Sequence, residues 1–166
     1  RLPDSAQHSG SAVLLERRGD VLHISLNRPH ARNAYGAALR DDLYEALQLL
    51  NMNHGLRKAV VRGEGSCFCT GGDLAEFGTV PDTSTAHAIR SSRSVAQLLL
   101  ELGAKLEFRL HRACIGSGIE LPAFGARVVA TNNAFMQLPE IKMGLLPGAG
   151  GTVSILWGIC RQRAAY

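Results

Sequence analysis

Aromatic side chains are scarce in this sequence, at 5% of 166 residues with a single tryptophan, and the basic residues have none at regular spacing. Arg17-Arg18, Arg57-Lys58 and Arg161/Arg163 are scattered, and the net charge of +4 is modest. A nucleic-acid groove of cations interleaved with stacking rings is therefore without support. An anionic small molecule would use the same excess with fewer residues. Cysteine is equally sparse. Cys67, Cys69, Cys114 and Cys160 form no disulfide framework, and Cys67-Phe68-Cys69 has the wrong spacing for a zinc knuckle, with no second pair to answer it. Free thiols in a reducing, cytoplasmic setting are expected. The first ten residues hold no apolar core, so no signal peptide is expected, and no apolar run reaches the length of a membrane span. What is present is 46% apolar residues, 19% charged residues and 18 glycines, which suits a soluble α/β domain able to bury a real core.

Taken in order, residues 1–11 read as a loose terminus. Val13–Glu16 and Val21–Leu26 flank the turn Arg18-Gly19-Asp20 and predict a hairpin. From Tyr35 the spacing of Leu39, Leu43, Ala46, Leu47 and Leu50 is helical, closed by Asn51, Asn53 and Gly55. Lys58–Gly63 reads as a buried strand, so the unit is strand, helix, strand and favours a parallel sheet under helices. Residues 78–84 read as a loop. Ala86 to Leu102 reads as a helix with Ile89, Val95, Leu98, Leu99 and Leu102 inward. Lys105 to His111 alternates, which predicts a strand with one wet face carrying Glu107, Arg109 and His111. A helix around Glu120, strands at Arg127–Thr131 and Ala134–Leu138, and a helix from Gly148–Gly151 through Trp157 complete the chain, with no repeat and no domain boundary.

Two stretches suggest chemistry. Gly65 to Leu74 ends in Gly71-Gly72-Asp73, paired glycines before an acid; this is either a plain tight turn, the reading the decapeptide alone favours, or a place where free N–H groups face an anion. Cys114 to Gly151 carries a glycine turn, Gly116-Ser117-Gly118, and two carboxylates, Glu120 and Glu140, each among apolar residues. A carboxylate in such company is costly unless paired, hydrogen-bonded or used. Taken singly, Glu120 could be an exposed helix residue and Glu140 a cap after Pro139. Gly148-Ala149-Gly150-Gly151 invites a dinucleotide-fingerprint reading, but the acid such a unit needs about 20 residues on would fall beyond Tyr166.

In order and spacing, Leu26-Asn27-Arg28-Pro29 with Asn33-Ala34, Phe68 to Leu74, Ile115 to Leu121, and Leu138-Pro139-Glu140-Ile141 continuing from Gly144 to Thr152 resemble the crotonase superfamily, the enoyl-CoA hydratase/isomerase family. The resemblance covers roughly residues 12–166. It implies an α/β, crotonase-like spiral of ββα units binding an acyl-coenzyme A thioester, with no cofactor beyond the coenzyme A of the substrate, and a homo-oligomer, trimer or dimer of trimers. It also implies an oxyanion hole from the N–H groups of Gly72 and Ser117, whose small size lets backbone approach ligand. Glu120 and Glu140 become catalytic: Glu140 protonates the α-carbon and Glu120 helps activate water. Arg28, Arg32, Ala34, Gly71, Asp73, Leu74, Gly116, Pro147 and Gly148 fall at substrate-binding positions, and the Arg28–Arg32 loop reads either as a contact to coenzyme A phosphates or as a plain solvated loop. Asp73 also reads as a structural cap. His23, His54 and His87 read as surface residues, and the cysteines near the site have no assigned role.

Having both glutamates favours a hydratase. The rivals are a double-bond isomerase using Glu140 alone and a truncated, catalytically silent acyl-CoA-binding subunit. Two departures from the family pattern stand out. The C-terminal helical region of such enzymes is missing here, so apolar surface is expected to be exposed. Arg112 stands where relatives carry a glycine with positive φ, so the loop holding Ser117 is expected to be set differently.

Overall fold

The computed structural model describes residues 10–76, 94–144, 146 and 148–159. Expectations for Ile89, His87, Pro147, Cys160 and the 78–84 loop lie outside the described residues. The chain opens with strands β1 (Val13–Arg18) and β2 (Val21–Leu26), which pair antiparallel across a turn where Gly19 has φ 64. Helix α1 (Ala37–Met52) buries the five residues its spacing marks, Leu39, Leu43, Ala46, Leu47 and Leu50. Strand β3 (Lys58–Gly63) follows, then helix α2 (Val95–Leu102), started by Ser94, whose hydroxyl accepts the Gln97 N–H at 3.2 Å. Strands β4 (Leu106–Leu110) and β5 (Ala113–Ile115) lead into the one-turn helix α3 (Ser117–Glu120). Strands β6 (Arg127–Ala130) and β7 (Phe135–Gln137) and helix α4 (Gly151–Ile159) complete the described elements.

The main sheet runs β1-β2-β3-β4-β6, parallel after its first hairpin, and β5 pairs with β7 in a second small sheet. Isolated parallel pairings join Tyr35 to Gly72 and Cys69 to Cys114. The chain thus repeats one unit: a strand in the main sheet, a short extended piece beside it, then a helix. β2–Tyr35–α1, the β3–Cys69–α2 turn, β4–β5–α3 and β6–β7–α4 all follow it, which makes the fold the crotonase-like spiral that the motifs imply.

Hydrophobicity places the core between sheet and helices. One row of cross-strand neighbours runs Leu15, Ile24, Val61, Phe108, Val128. The middle three are no more than 1% exposed, whereas Leu15 is 39% and Val128 44% exposed. Burying such side chains stabilises by roughly 1.5–3 kcal/mol each, so the centre of the sheet carries the stability and its edges contribute little. On the opposite face, one row across runs His23, Val60, Glu107, Arg127. Here the wet-face expectation needs correction: Glu107 is 2% exposed. Lys58 reaches it at 2.5 Å, Arg109 at 2.9 Å and Arg127 at 3.4 Å, so the carboxylate is roofed by its own counter-ions. Hydrogen bonds from Lys58, then Arg109, hold its pKa down to about 2.

The loop after β4 also departs from expectation. Arg112 is held at φ 53, in the left-handed region, so an arginine takes the conformation a glycine would adopt freely. The chain enters β5 in register with β7 regardless, and the Phe135 N–H donates to the Arg112 carbonyl at 2.6 Å.

Candidate active site

The first bend is Cys69–Asp73. The Tyr35 N–H donates to the Gly71 carbonyl at 2.7 Å and the Asp73 N–H donates to the Tyr35 carbonyl at 3.2 Å. In a parallel pairing of this kind the residue between, here Gly72, turns its own N–H to the other side. Gly71 has φ 96, and a side chain there would come within 3.2 Å of the Ile115 carbonyl, so the bend lies against the second glycine turn.

That second turn begins at Gly116, with φ 51 and ψ −117, whose N–H donates to the Gln137 carbonyl at 2.9 Å. Its carbonyl accepts the N–H groups of Ile119 and Glu120, which starts α3 at Ser117 and leaves the Ser117 N–H among the donors a helix start cannot use. A Cβ at Gly116 would lie 2.5 Å from Glu140 Oε1 and 3.6 Å from Gly71 Cα. Both bends and Glu140 therefore meet at one point, and Gly116 is glycine because φ 51 with ψ −117 strains any residue that carries a side chain. Gly118 is similarly required, since a side chain there would strike the Cys69 carbonyl.

Glu120 is 2% exposed. Its Oε2 accepts N–H groups from Ala149 and Gly151, both at 2.8 Å, and Ser154 Oγ donates to its main-chain carbonyl at 2.9 Å. Burial raises its pKa, the two amides oppose that, and the nearby Glu140 charge adds to it. The acid is thus anchored to the start of α4 and shares a field with Glu140.

Among the described residues, two buried side-chain oxygens lack a hydrogen-bond partner: Ser117 Oγ and Glu140 Oε2. Orphaned buried polar atoms are rare in folded proteins. Both of these belong to the point where the bends meet. The Ser117 hydroxyl lies beside the Cys69 thiol, and burial pushes that thiol up to about 11. Burial does the same to Cys114, also to about 11. Both stay protonated at neutral pH and are poor nucleophiles. The described cysteines are free, and no cluster of three or more metal-ligating side chains occurs among the described residues.

The structure therefore brings together Gly71, Gly72, Gly116, Ser117 and Glu140, with Glu120 on the same short helix. Gly148 is exposed in the turn before α4, and Leu74 is exposed at the start of a 3-10 turn. Arg28 and Asp73 are turned to each other: Arg28 Nη1 lies 2.9 Å from Asp73 Oδ2 and donates to the Ala34 carbonyl, also at 2.9 Å. Asp73 also acts as the expected cap, its Oδ1 accepting the Ala75 N–H at 3.2 Å. Arg32 keeps an exposed side chain. Sequence reasoning missed Tyr35, which pairs with Gly72, and quoted Asn33 in a motif without giving it a role; Asn33 is buried and its amide joins the 28–33 loop to the Glu64 and Cys67 carbonyls. The signal for the Arg28–Asp73 pair lay in two complementary charges at the ends of two motifs. A separate, open recess of about 840 Å³ lined by Gly65, Ser66, His111, Arg112 and Thr131–Asn133 contains none of these groups.

Residues 16–166 match the sequence profile described as enoyl-CoA hydratase/isomerase. The chain is 31% identical over 153 residues to the enoyl-CoA isomerase/hydratase fer4 of Mycosarcoma maydis, covering 87% of this chain and 56% of that protein. To the 2,3-dehydroadipyl-CoA hydratase of Escherichia coli it is 31% identical over 156 residues, covering 93% of this chain and 60% of the other. It thus spans little more than half the length of these curated relatives. Among solved structures, the enoyl-CoA hydratase of Thermoplasma volcanium superposes with a TM-score of 0.85 at 28% identity, covering 97% of this chain and 64% of that one. A Thermobifida fusca protein solved in complex with CoA superposes with a TM-score of 0.80 at 26% identity, covering 93% and 62%. The ββα spiral, the order of the four motifs and a profile match over most of the length agree: the chain belongs to the enoyl-CoA hydratase/isomerase family of the crotonase superfamily.

Proposed function

We propose that this chain binds an acyl-coenzyme A thioester and adds water across the double bond of a 2-enoyl group. The observation that carries this reading is the meeting of two amide-bearing bends with a buried, unpartnered carboxyl oxygen of Glu140, Glu120 lying one helical turn from Ser117. The thioester oxygen accepts from the N–H groups of Gly72 and Ser117. Water oxygen bonds to C3 as its proton passes to Glu120. The C2–C3 π pair shifts to C1–C2, and negative charge lodges on the oxygen facing the two amides. Glu140 then delivers a proton to C2 and the thioester re-forms; a proton returned from Glu120 through water resets the pair. Fixed donors of this kind are worth about 3–4 kcal/mol of barrier each. The Thermobifida fusca relative in complex with CoA supports the choice of ligand class.

A second reading has its own support. Glu120 Oε2 is already occupied by two amides, which suits an anchor for α4, with Glu140 alone moving a proton between C2 and C4 as an isomerase would. Incubation with a 2-enoyl and a 3-enoyl thioester separates the two. Loss of conjugated absorbance with water uptake supports hydration, and its appearance from the 3-enoyl substrate supports isomerisation. Binding without turnover, unchanged in Glu140→Gln, would instead indicate a thioester-binding subunit.

A further inference from the structure

We infer that Arg28 and Asp73 form a positioning clamp that aims the Gly72 N–H at the thioester oxygen; this rests on the functional reading above. Gly71-Gly72 is a bend of two residues without side chains, one of them at φ 96, and such a pair has wide conformational freedom. Something outside the bend has to set the direction of its amide. A single nitrogen, Arg28 Nη1, ties the carbonyl of Ala34, just before Tyr35, to the carboxylate of Asp73, just after Gly72, each at 2.9 Å. The Tyr35 N–H to Gly71 carbonyl and Asp73 N–H to Tyr35 carbonyl bonds close the frame. Gly72 is therefore held from one side by the Tyr35 N–H on the Gly71 carbonyl and from the other by Asp73, whose carboxylate Arg28 ties to the neighbouring segment at Ala34.

The anchor of that arginine is firm. Its own N–H donates to Asn33 Oδ1 at 2.8 Å, and its carbonyl accepts the N–H groups of Ala31 and Asn33. Asn33 is fully buried at φ 54, and its amide nitrogen is fixed to the Glu64 and Cys67 carbonyls at 2.9 and 3.1 Å. Downstream, Glu76 accepts the Ala37 N–H at the start of α1 through both carboxyl oxygens, at 2.9 and 2.8 Å, so the far end of the bend is held as well. The ion-paired side chains are only 20% and 15% exposed, so solvent screens them weakly. Misplacing a catalytic group by about 1 Å costs on the order of 100-fold in rate, which sets the scale of what the clamp protects.

The test uses the full chain and butyryl-CoA carrying a 13C-labelled thioester carbonyl, whose infrared frequency falls when the oxygen accepts strong hydrogen bonds. Wild type should show a lowered frequency. Arg28→Met should return it most of the way to the solution value and reduce kcat on a 2-enoyl thioester by about 10–100-fold with KM changed less than about 3-fold. Arg28→Lys should recover part of both. Asp73→Asn should reproduce the loss, and the double variant should be no worse than the more damaged single one, because both changes break one interaction. If Arg28→Met fails to fold, Asp73→Asn carries the same readouts. Variants that keep the lowered frequency and kcat while losing only thermal stability would overturn the clamp and leave the function standing. A wild type with no frequency change at saturating ligand would overturn the functional reading, and the clamp with it.

Discussion

At the scale of single residues, two features separate what geometry permits from what it costs. Arg112 sits at φ 53, where a side chain crowds its own backbone at a cost of roughly 1–2 kcal/mol. Arg112→Gly should therefore raise the unfolding free energy by about 1 kcal/mol, read as a higher midpoint in urea with unchanged slope. Glu120 makes the second prediction. Burial raises its pKa above the ordinary 4.5, outweighing the Ala149 and Gly151 amides. Acting as the acceptor of the water proton, it must be deprotonated, so kcat/KM should rise with pH through a limb lying above 4.5. Glu120→Gln should abolish that limb along with most of the hydration activity. The resemblance marks position 112 as one of positive φ but not that an arginine would adopt it, and the contacts of Glu120 were not legible beforehand. Local spacing says nothing of Arg112's φ, and the Glu120 partners lie about 30 residues downstream.

At the scale of elements, the sheet shows which patterns translate into structure. Helix α1 was readable because its five inward residues repeat every three or four positions, a periodicity that burial alone enforces. Strand β4 was half readable. Its alternation put Leu106, Phe108 and Leu110 inward correctly, but gave no hint that Lys58 from β3 and Arg127 from β6 would close over Glu107. That cluster has a pH signature. The Glu107 pKa is depressed in the folded state, so its contribution is present above the ordinary 4.5 and is lost as pH falls toward about 2. Thermal melts should show Tm falling steeply across that window, and Glu107→Gln should be less stable at neutral pH with a shallower acid slope. Phe108→Ala, in the most buried row of the sheet, should cost about 3–5 kcal/mol.

At the scale of the whole molecule, three of the four motifs were legible because each fuses a turn requirement with a chemical one: glycines where backbones touch, an acid where charge must be handled. Their convergence was not readable from spacing, since it depends on the spiral bringing Gly71 against Gly116 across about 45 residues. The spiral also leaves Val128, Val129, Phe135 and Met136 on β6 and β7 between 40% and 56% exposed. Apolar side chains left exposed on both faces of the edge strand β6 and of β7 favour association. Sedimentation should show concentration-dependent self-association that Phe135→Ser with Met136→Gln weakens without altering the fold.

The most direct test of the account is exchange of the α-protons of butyryl-CoA with D2O, followed by NMR, because it reports the enolate itself whether the chain hydrates or isomerises. Wild type should incorporate deuterium at C2, and Glu140→Gln should slow that by about 100-fold or more while still binding the thioester. Exchange that is absent in a wild type saturated with ligand, or that proceeds equally fast in Glu140→Gln, would contradict it.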